Sequence, residues 1–204
     1  MALHFHKLTV KDIHKETPDC VAITFDVPEE RKADFAFKQG QNVTVRSTVG
    51  NDTRRSYSIF SSPLDNELSI AVKKVENGLF STFANEKLRK GDVLEVMPPT
   101  GTFFTEVNPA NRKDYVFFAT GSGITPVISI IKTILLTEQN SSVTLVYGNK
   151  NLQSIIFREA IEALKDKFLK RFRVFHILSR EKTDTDFNYG RIDISKCYYL
   201  SKLI

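Results

Sequence analysis

The segment Tyr115-Val116-Phe117-Phe118-Ala119, followed at once by Thr120-Gly121-Ser122-Gly123-Ile124-Thr125-Pro126, constrains the fold of this chain more than any other feature. A continuous apolar run marks a strand covered on both faces. A glycine-rich turn with proline just inside the next helix marks a strand that feeds directly into that helix. Ile124, Val127, Ile128, Ile131, Ile134 and Leu135 then recur at helical spacing, and residues 143–147 form a second apolar strand. Phe157, Ile161, Leu164 and Phe168 mark one stripe of an amphipathic helix, and residues 172–178 a third strand. The order β-α-β-α-β predicts a parallel sheet with right-handed crossovers. After Gly190-Arg191-Ile192-Asp193 and a helix through Tyr198 and Leu200, nothing remains to build the further strands that such a sheet normally carries, so the expectation is a truncated chain.

The first hundred residues read differently. Val21, Ile23, Phe25 and Val27 alternate with Ala22, Thr24 and Asp26; Val43 with Val45, and Leu68, Ile70 with Val72, repeat the period of half-buried strands. Turn signals separate them, among them Thr17-Pro18-Asp19, Ser62-Pro63 and a hairpin signal at Gly50-Asn51-Asp52. Short strands with evenly spaced turns predict a closed antiparallel β-barrel. One helix over 81–88 interrupts them, with Ser81 as its N-cap and Gly91 ending the segment that follows. The polar stretch Asn108-Pro109-Ala110-Asn111 predicts a boundary between a barrel domain, residues 1–108, and an α/β domain, residues 109–204.

Composition narrows the chemistry. With 204 residues, 41% hydrophobic and 26% charged, the chain is an ordinary globular sequence and disorder is excluded. No apolar stretch approaches the ~20 residues of a membrane helix, and no signal peptide is visible, which predicts a cytoplasmic protein without a membrane partner. Cys20 and Cys197 are too few for a four-thiolate cluster. His4 and His6 share a strand face but have no third ligand near them, so no metal is expected. Lys+Arg 29 against Asp+Glu 24 gives a net charge of +5, which suits an anionic partner such as a nucleotide or an acidic protein. The basic pairs Arg54-Arg55 and Lys73-Lys74 are not interleaved with aromatics, against a nucleic-acid platform.

Glycine turns between strand and helix let the backbone approach a pyrophosphate, and the helix start favours its charge; the same turn also serves merely as a tight turn. The second strand ends Tyr147-Gly148-Asn149-Lys150, without the acid that holds a ribose in NAD-selective sheets. Ser179-Arg180 ends the third strand and Arg191 follows Gly190; they read either as phosphate ligands or as solvated loop cations. In the barrel, Arg55-Ser56-Tyr57-Ser58 could hold a phosphate and a ring, or could be ordinary strand residues.

Taken in order, Arg55-x-Tyr57-Ser58, Gly78-x-x-Ser81-Thr82, Pro99-x-Gly101-x-Phe103 and Gly121-Ser122-Gly123-Ile124-Thr125-Pro126 resemble the ferredoxin–NADP reductase superfamily, from about residue 5 onward. Within it, Tyr147-Gly148-Asn149-Lys150, Ser154-Ile155-Ile156-Phe157, residues 176–181 and Gly190-Arg191-Ile192-Asp193 resemble most the reductase subunits of phenylacetyl-CoA epoxidase systems, a resemblance that implies a role in phenylacetate catabolism. The resemblance implies that Arg55 binds the FAD pyrophosphate, Tyr57 packs on the flavin ring, Ser58 lies near flavin N5, and Val72 and Lys73 line the phosphate and ribityl portion. It implies that Gly78, Ser81 and Thr82 face the pyrophosphate. Gly121, Ser122, Gly123 and Thr125 would hold the nicotinamide dinucleotide, with Thr125 near the reacting ring. Ser179, Arg180 and Arg191 would grip a 2′-phosphate, favouring NADP over NAD. The implied reaction is hydride transfer from NADPH to FAD, followed by single-electron transfer to a 2Fe–2S domain or a ferredoxin and onward to di-iron oxygenase subunits. The Cys-Gly-Pro segment of relatives and the four-cysteine iron–sulfur domain are absent from this chain, so FAD binding is expected to survive better than NADPH turnover. The rival expectations are a stand-alone ferredoxin or flavodoxin reductase, a flavohaemoglobin-like reductase, and a non-enzymatic basic binding module.

Overall fold

A computed structural model of the protein describes residues 4–47, 53–183 and 185–202. The hairpin signal at Gly50-Asn51-Asp52 therefore lies outside the described residues. The chain forms two compact units, residues 1–106 with 125–133, and residues 107–124 with 134–204.

The first unit carries β1 (His6–Thr17), β2 (Cys20–Asp26), β3 (Asn42–Ser47), β4 (Thr53–Ser58), β5 (Leu68–Lys73), α1 (Leu79–Glu86) and β6 (Val93–Val96). The six strands are antiparallel in the order β4-β3-β6-β1-β2-β5. Past the end of β4 the chain turns onto the opposite edge: Ile59 bridges Ile70, and Phe60 N–H donates to the Ser69 carbonyl at 2.9 Å. That closes the sheet into the predicted barrel and removes an open edge. Leu8, Val10, Ile23, Val43, Val45, Ile70, Val72 and Val96 fill its interior. The alternation read for β2 and β5 is only half the story, because Ala22, Ser69 and Ala71 at the intervening positions are buried as well.

The second unit is a three-stranded parallel sheet, β7 (Asp114–Thr120), β8 (Ser142–Asn149) and β9 (Phe172–Leu178), in sequence order. The helices α2 (Ile124–Thr137) and α3 (Arg158–Lys167) make its crossovers, and α4 (Ile194–Leu200) follows β9. Residues 125–133 of α2 count with the barrel unit, where Ser129 Oγ donates to the Ser61 carbonyl and Lys132 pairs with Asp65. One expectation needs correction: β7 is an edge strand, and Val116 and Phe118 are 41% and 49% exposed, so its apolar run is not covered on both faces. Among the described residues no helix is long and apolar enough to cross a membrane, and no cluster of three His, Cys, Asp or Glu could hold a metal.

A polar knot closes the amino-terminal end of this sheet. The Glu138 carboxylate, fully buried, accepts from Asn111 Nδ2 at 2.6 Å, Ser141 Oγ at 2.7 Å, the Asn108 N–H at 3.1 Å and Tyr115 OH at 3.2 Å. The Arg171 guanidinium donates to the carbonyls of Leu135, Glu138 and Ser141, tying the end of α2 to the start of β9. Burial acts to raise the Glu138 pKa, but the bonds from Ser141, Asn111, Asn108 and Tyr115 outweigh it and hold the carboxyl below its ordinary 4.5. A carboxyl that binds its proton less readily folded than unfolded stabilises the fold above the unfolded pKa, and that stability is lost as pH falls through the folded value. Glu138→Gln should cost about 1–3 kcal/mol at neutral pH. In urea unfolding, its deficit relative to wild type should shrink as pH drops below 4.5.

Candidate functional site

In the barrel unit Tyr57 and Val72 contact α1, whose start holds Gly78, Ser81 and Thr82, and Arg55, Ser58 and Lys73 adjoin them along β4 and β5. Arg54, Arg55 and Ser56 are exposed in succession on β4, with Arg55 Nη1 donating to the Arg54 carbonyl at 2.7 Å. Tyr57 is half-buried, its ring 5.7 Å from that of Phe80 on α1. Burial pushes its phenol up to about 12, against the pull of the Arg55 charge, so the ring is neutral at any physiological pH. Ser58 is half-buried at the end of β4, opposite Asn42. Val72 lies wholly inside the barrel core, and its carbonyl accepts from Asn85 Nδ2 on α1 at 3.0 Å. Lys73, next along β5, pairs with Asp19 at 3.5 Å.

The start of α1 differs from expectation. The N-cap is Gly78, and Ser81 lies within the first turn. The Ser81 hydroxyl accepts from the Val75 N–H and donates to the Gly78 carbonyl, both at 3.2 Å, so it folds the preceding turn against the helix instead of capping it. Thr82 N–H donates to Gly78, continuing the helix. A Cβ on Gly78 would stand 2.3 Å from Ser81 Oγ and 2.5 Å from Val75 Cγ2, so glycine is what lets the turn close.

In the second unit the predicted residues collect at the carboxyl ends of the strands. Gly121, Ser122 and Gly123 form a single 3₁₀ turn between β7 and α2, with Ser122 and Gly123 exposed. Gly121 has φ +49°, which favours glycine, whereas the Cβ positions of Gly121 and Gly123 both point into open space. Nothing in the chain itself demands glycine at 123; a ligand pressed against the backbone would. Thr125, in the first turn of α2, is buried and groups with the barrel unit. Ser179 and Arg180 leave β9 bonded to the chain leaving β8: their N–H groups donate to Asn149 and Lys150 carbonyls. Tyr189 bridges Leu178 and Gly190 N–H donates to the Leu178 carbonyl, which brings the exposed Arg191 to the same end as the exposed Arg180. Sequence reasoning missed Asn85 and Tyr147. Asn85 looked like any helix residue, yet its amide bridges the Val72 and Ser81 carbonyls. Tyr147 looked like strand core, yet its hydroxyl donates to Gly121 at 2.9 Å; the usable signal was a phenol in a strand too buried to leave it unpaired.

The two groups of residues suit nucleotides. The barrel unit offers an exposed arginine, a neutral aromatic and a glycine-capped helix start; the second unit offers a glycine turn with open space and two arginines at the ligand-binding end of a parallel sheet. Comparison with known proteins agrees with this division. Residues 7–105 match the oxidoreductase FAD-binding domain, and residues 117–200 the oxidoreductase NAD-binding domain. The chain is 45% identical over 193 residues to one of the subunits of the 1,2-phenylacetyl-CoA epoxidase of Escherichia coli K12, covering 94% of this chain and 54% of that protein. It is 39% identical over 174 residues to the ferredoxin reductase component of the 3-ketosteroid-9-alpha-monooxygenase of Rhodococcus rhodochrous, covering 84% of this chain and 48% of that one. The chain thus spans about half the length of the curated relatives it matches. The cytochrome b5 reductase domain of Ulva prolifera nitrate reductase shares the fold, with a TM-score of 0.79 at 21% identity over 96% of this chain and 81% of that domain.

Gly78→Ala should push Ser81 off the Val75 amide and overpack the turn, costing about 1–3 kcal/mol. The measurement is the urea midpoint at constant m-value, and an unchanged midpoint would show that the turn relaxes freely.

Proposed function

The chain belongs to the oxidoreductases that join an FAD-binding domain to a NAD-binding domain, and from that premise we propose that it is an FAD-dependent NADPH reductase delivering electrons singly to an iron–sulfur acceptor of an oxygenase. The observation that carries the reading is the grouping of Arg55, half-buried Tyr57 and the Gly78-capped start of α1 within one unit. When bound, FAD supplies the conversion of a two-electron donor into one-electron steps. Arg55 gives the pyrophosphate a guanidinium fork, and the first-turn N–H groups of α1 add their partial positive charge. Lys73 borders the same phosphate portion; Val72, which the resemblance also assigns to it, lies in the barrel core with its carbonyl bonded to Asn85, and so acts only through the position of its neighbour. Tyr57 presents a neutral ring and Ser58 a hydroxyl beside it, so neither introduces charge against the flavin. In the second unit the Gly121–Gly123 turn receives the dinucleotide backbone; Thr125, in the first turn of α2 that follows it, orients the nicotinamide end. None of these side chains needs to act as a general acid or base; their work is binding, orientation and exclusion of water.

NADPH is favoured over NADH because Ser179, Arg180 and Arg191 converge at the sheet end while the end of β8 carries Asn149 and Lys150 where NAD-selective sheets place an acid. The oxygenase partner is supported by the names of the two relatives, one belonging to an epoxidase and the other the reductase component of a monooxygenase. A cytoplasmic setting belongs to the same reading.

An anaerobic visible spectrum of the protein supplied with FAD, before and after stoichiometric NADPH, tests the reading. Flavin bands that travel with the protein and bleach on NADPH are expected. Bands that bleach only with dithionite would confine the function to FAD binding, and failure to take up FAD would remove its central element. Arg180→Ala should raise the NADPH KM roughly tenfold, the loss of a charge-assisted phosphate contact, and leave the NADH KM unchanged. Equal losses with both nucleotides would refute the 2′-phosphate assignment.

A further inference from the structure

Tyr147 stands on the middle strand β8, completely buried, and its hydroxyl donates to the Gly121 carbonyl at 2.9 Å. The same carbonyl accepts from the N–H of Ile124, the first residue of α2, so one peptide oxygen joins the strand, the turn and the helix. In the register of the sheet Tyr147 faces Ala119 and Gly148 faces Thr120. A Cβ on Gly148 would already lie 3.1 Å from Thr120 Cγ2, so the two strand ends are in close apposition just below the turn. Behind the tyrosine, its ring lies 6.0 Å from that of His176, whose Nε2 is 3.8 Å from Glu162 Oε1 on α3. The phenol is therefore a braced post. The turn above it is more open: Cβ positions built on Gly121 and Gly123 have nothing within 4 Å.

A glycine-rich turn that must receive a pyrophosphate loses conformational freedom on binding, and any contact that already holds its conformation reduces that cost. We infer that Tyr147 is a positioning residue for the nicotinamide dinucleotide: through the Gly121 carbonyl its hydroxyl presets the left-handed backbone at Gly121 and the direction in which the turn presents its N–H groups. The inference rests on the nucleotide site proposed above and adds to it a residue that touches no ligand.

Tyr147→Phe removes the hydroxyl and keeps the packing. NADP⁺ binding to the FAD-supplied protein is measured by calorimetry, alongside FAD affinity, the melting temperature and the steady-state NADPH parameters. The variant should bind NADP⁺ roughly three- to tenfold more weakly and show the same rise in KM, with kcat and FAD affinity within twofold of wild type. Gly121→Ala, strained at that φ, should weaken NADP⁺ binding on its own, and the double variant should be little worse than the poorer single one, because both act on one conformation. A Tyr147→Phe protein that melts earlier but binds NADP⁺ like wild type would overturn the inference alone, leaving the hydroxyl a purely structural tie. Additive losses in the double variant would overturn it too. A wild-type protein that takes up FAD but binds neither NADP⁺ nor NAD⁺ would overturn the nucleotide site itself, and this inference with it.

Discussion

Parallel hydrogen bonding leaves the three strands of the second unit no freedom of register: Thr120 faces Gly148, and Asn149 faces Leu178. The chain leaving each strand therefore emerges at one level, and the segments that follow, the glycine turn, Lys150 and Ser179-Arg180, are brought side by side without any contact having to select them. The same rule places the opposite loops together, where Asn108, Asn111, Ser141 and Arg171 surround Glu138. One end is a saturated polar knot and the other an open rim. The buried polar network and the candidate ligand rim thus lie at opposite ends of the strand axis.

The barrel unit meets a different constraint. In an antiparallel sheet successive strands end at opposite rims, so their following loops are not gathered at one level, and the candidate site is assembled from one exposed strand, β4, and the helix α1 that follows β5. The helix is fastened to the barrel on both sides: Phe80 reaches the Tyr57 ring, and Asn85 bonds the Val72 carbonyl. Tyr57 is consequently fixed by core packing at one face while its strand neighbours Ser56 and Arg55 remain in water. An aromatic presented in this way keeps its orientation without a ligand, which reduces the ordering cost of binding a planar ring.

Local periodicity made most of this legible. Several strands of the barrel, the β-α-β-α-β order and the glycine turn follow from patterns within a dozen residues, and the candidate site residues stood out because their motifs resemble those of a known family; the pairings of the barrel strands, such as β3 with β6, do not follow from local pattern. What escaped was set by distant partners. Ser81 has the chemistry of an N-cap, but Val75 and Gly78 claim its hydroxyl, and the helix starts earlier. The apolar run of β7 has the composition of a central strand and the position of an edge one, since hydrophobicity does not encode which neighbours a strand obtains. Glu138 and Arg171 lie 33 residues apart, each unremarkable alone, and no spacing rule links them. Tyr147 escaped because its partner is a backbone oxygen, which leaves no mark on residue type.

The polar atoms the fold fails to satisfy are as informative as the ones it does. Among the described residues, the buried side-chain atoms without a hydrogen-bond partner in the protein are Asn85 Oδ1, Asn149 Nδ2 and His176 Nδ1. Folded chains pair nearly all such groups, with the chain itself, with ordered water or with a ligand. Asn85 lies in the last turn of α1, with its amide nitrogen already spent on the Val72 and Ser81 carbonyls. Asn149 ends β8 at the rim, and His176 backs Tyr147 beneath the glycine turn. Burial lowers the His176 pKa despite the nearby Glu162, so the ring stays neutral and its unpaired nitrogen is an acceptor or donor by choice of tautomer. All three exceptions border the two segments that read as nucleotide sites, whereas the Glu138 knot, equally polar and as deeply buried, lies at the far end of the sheet with four donors on its carboxylate. The difference is one of pairing: the Glu138 carboxylate is satisfied wholly within the chain, whereas these three atoms are left for water or another partner to satisfy.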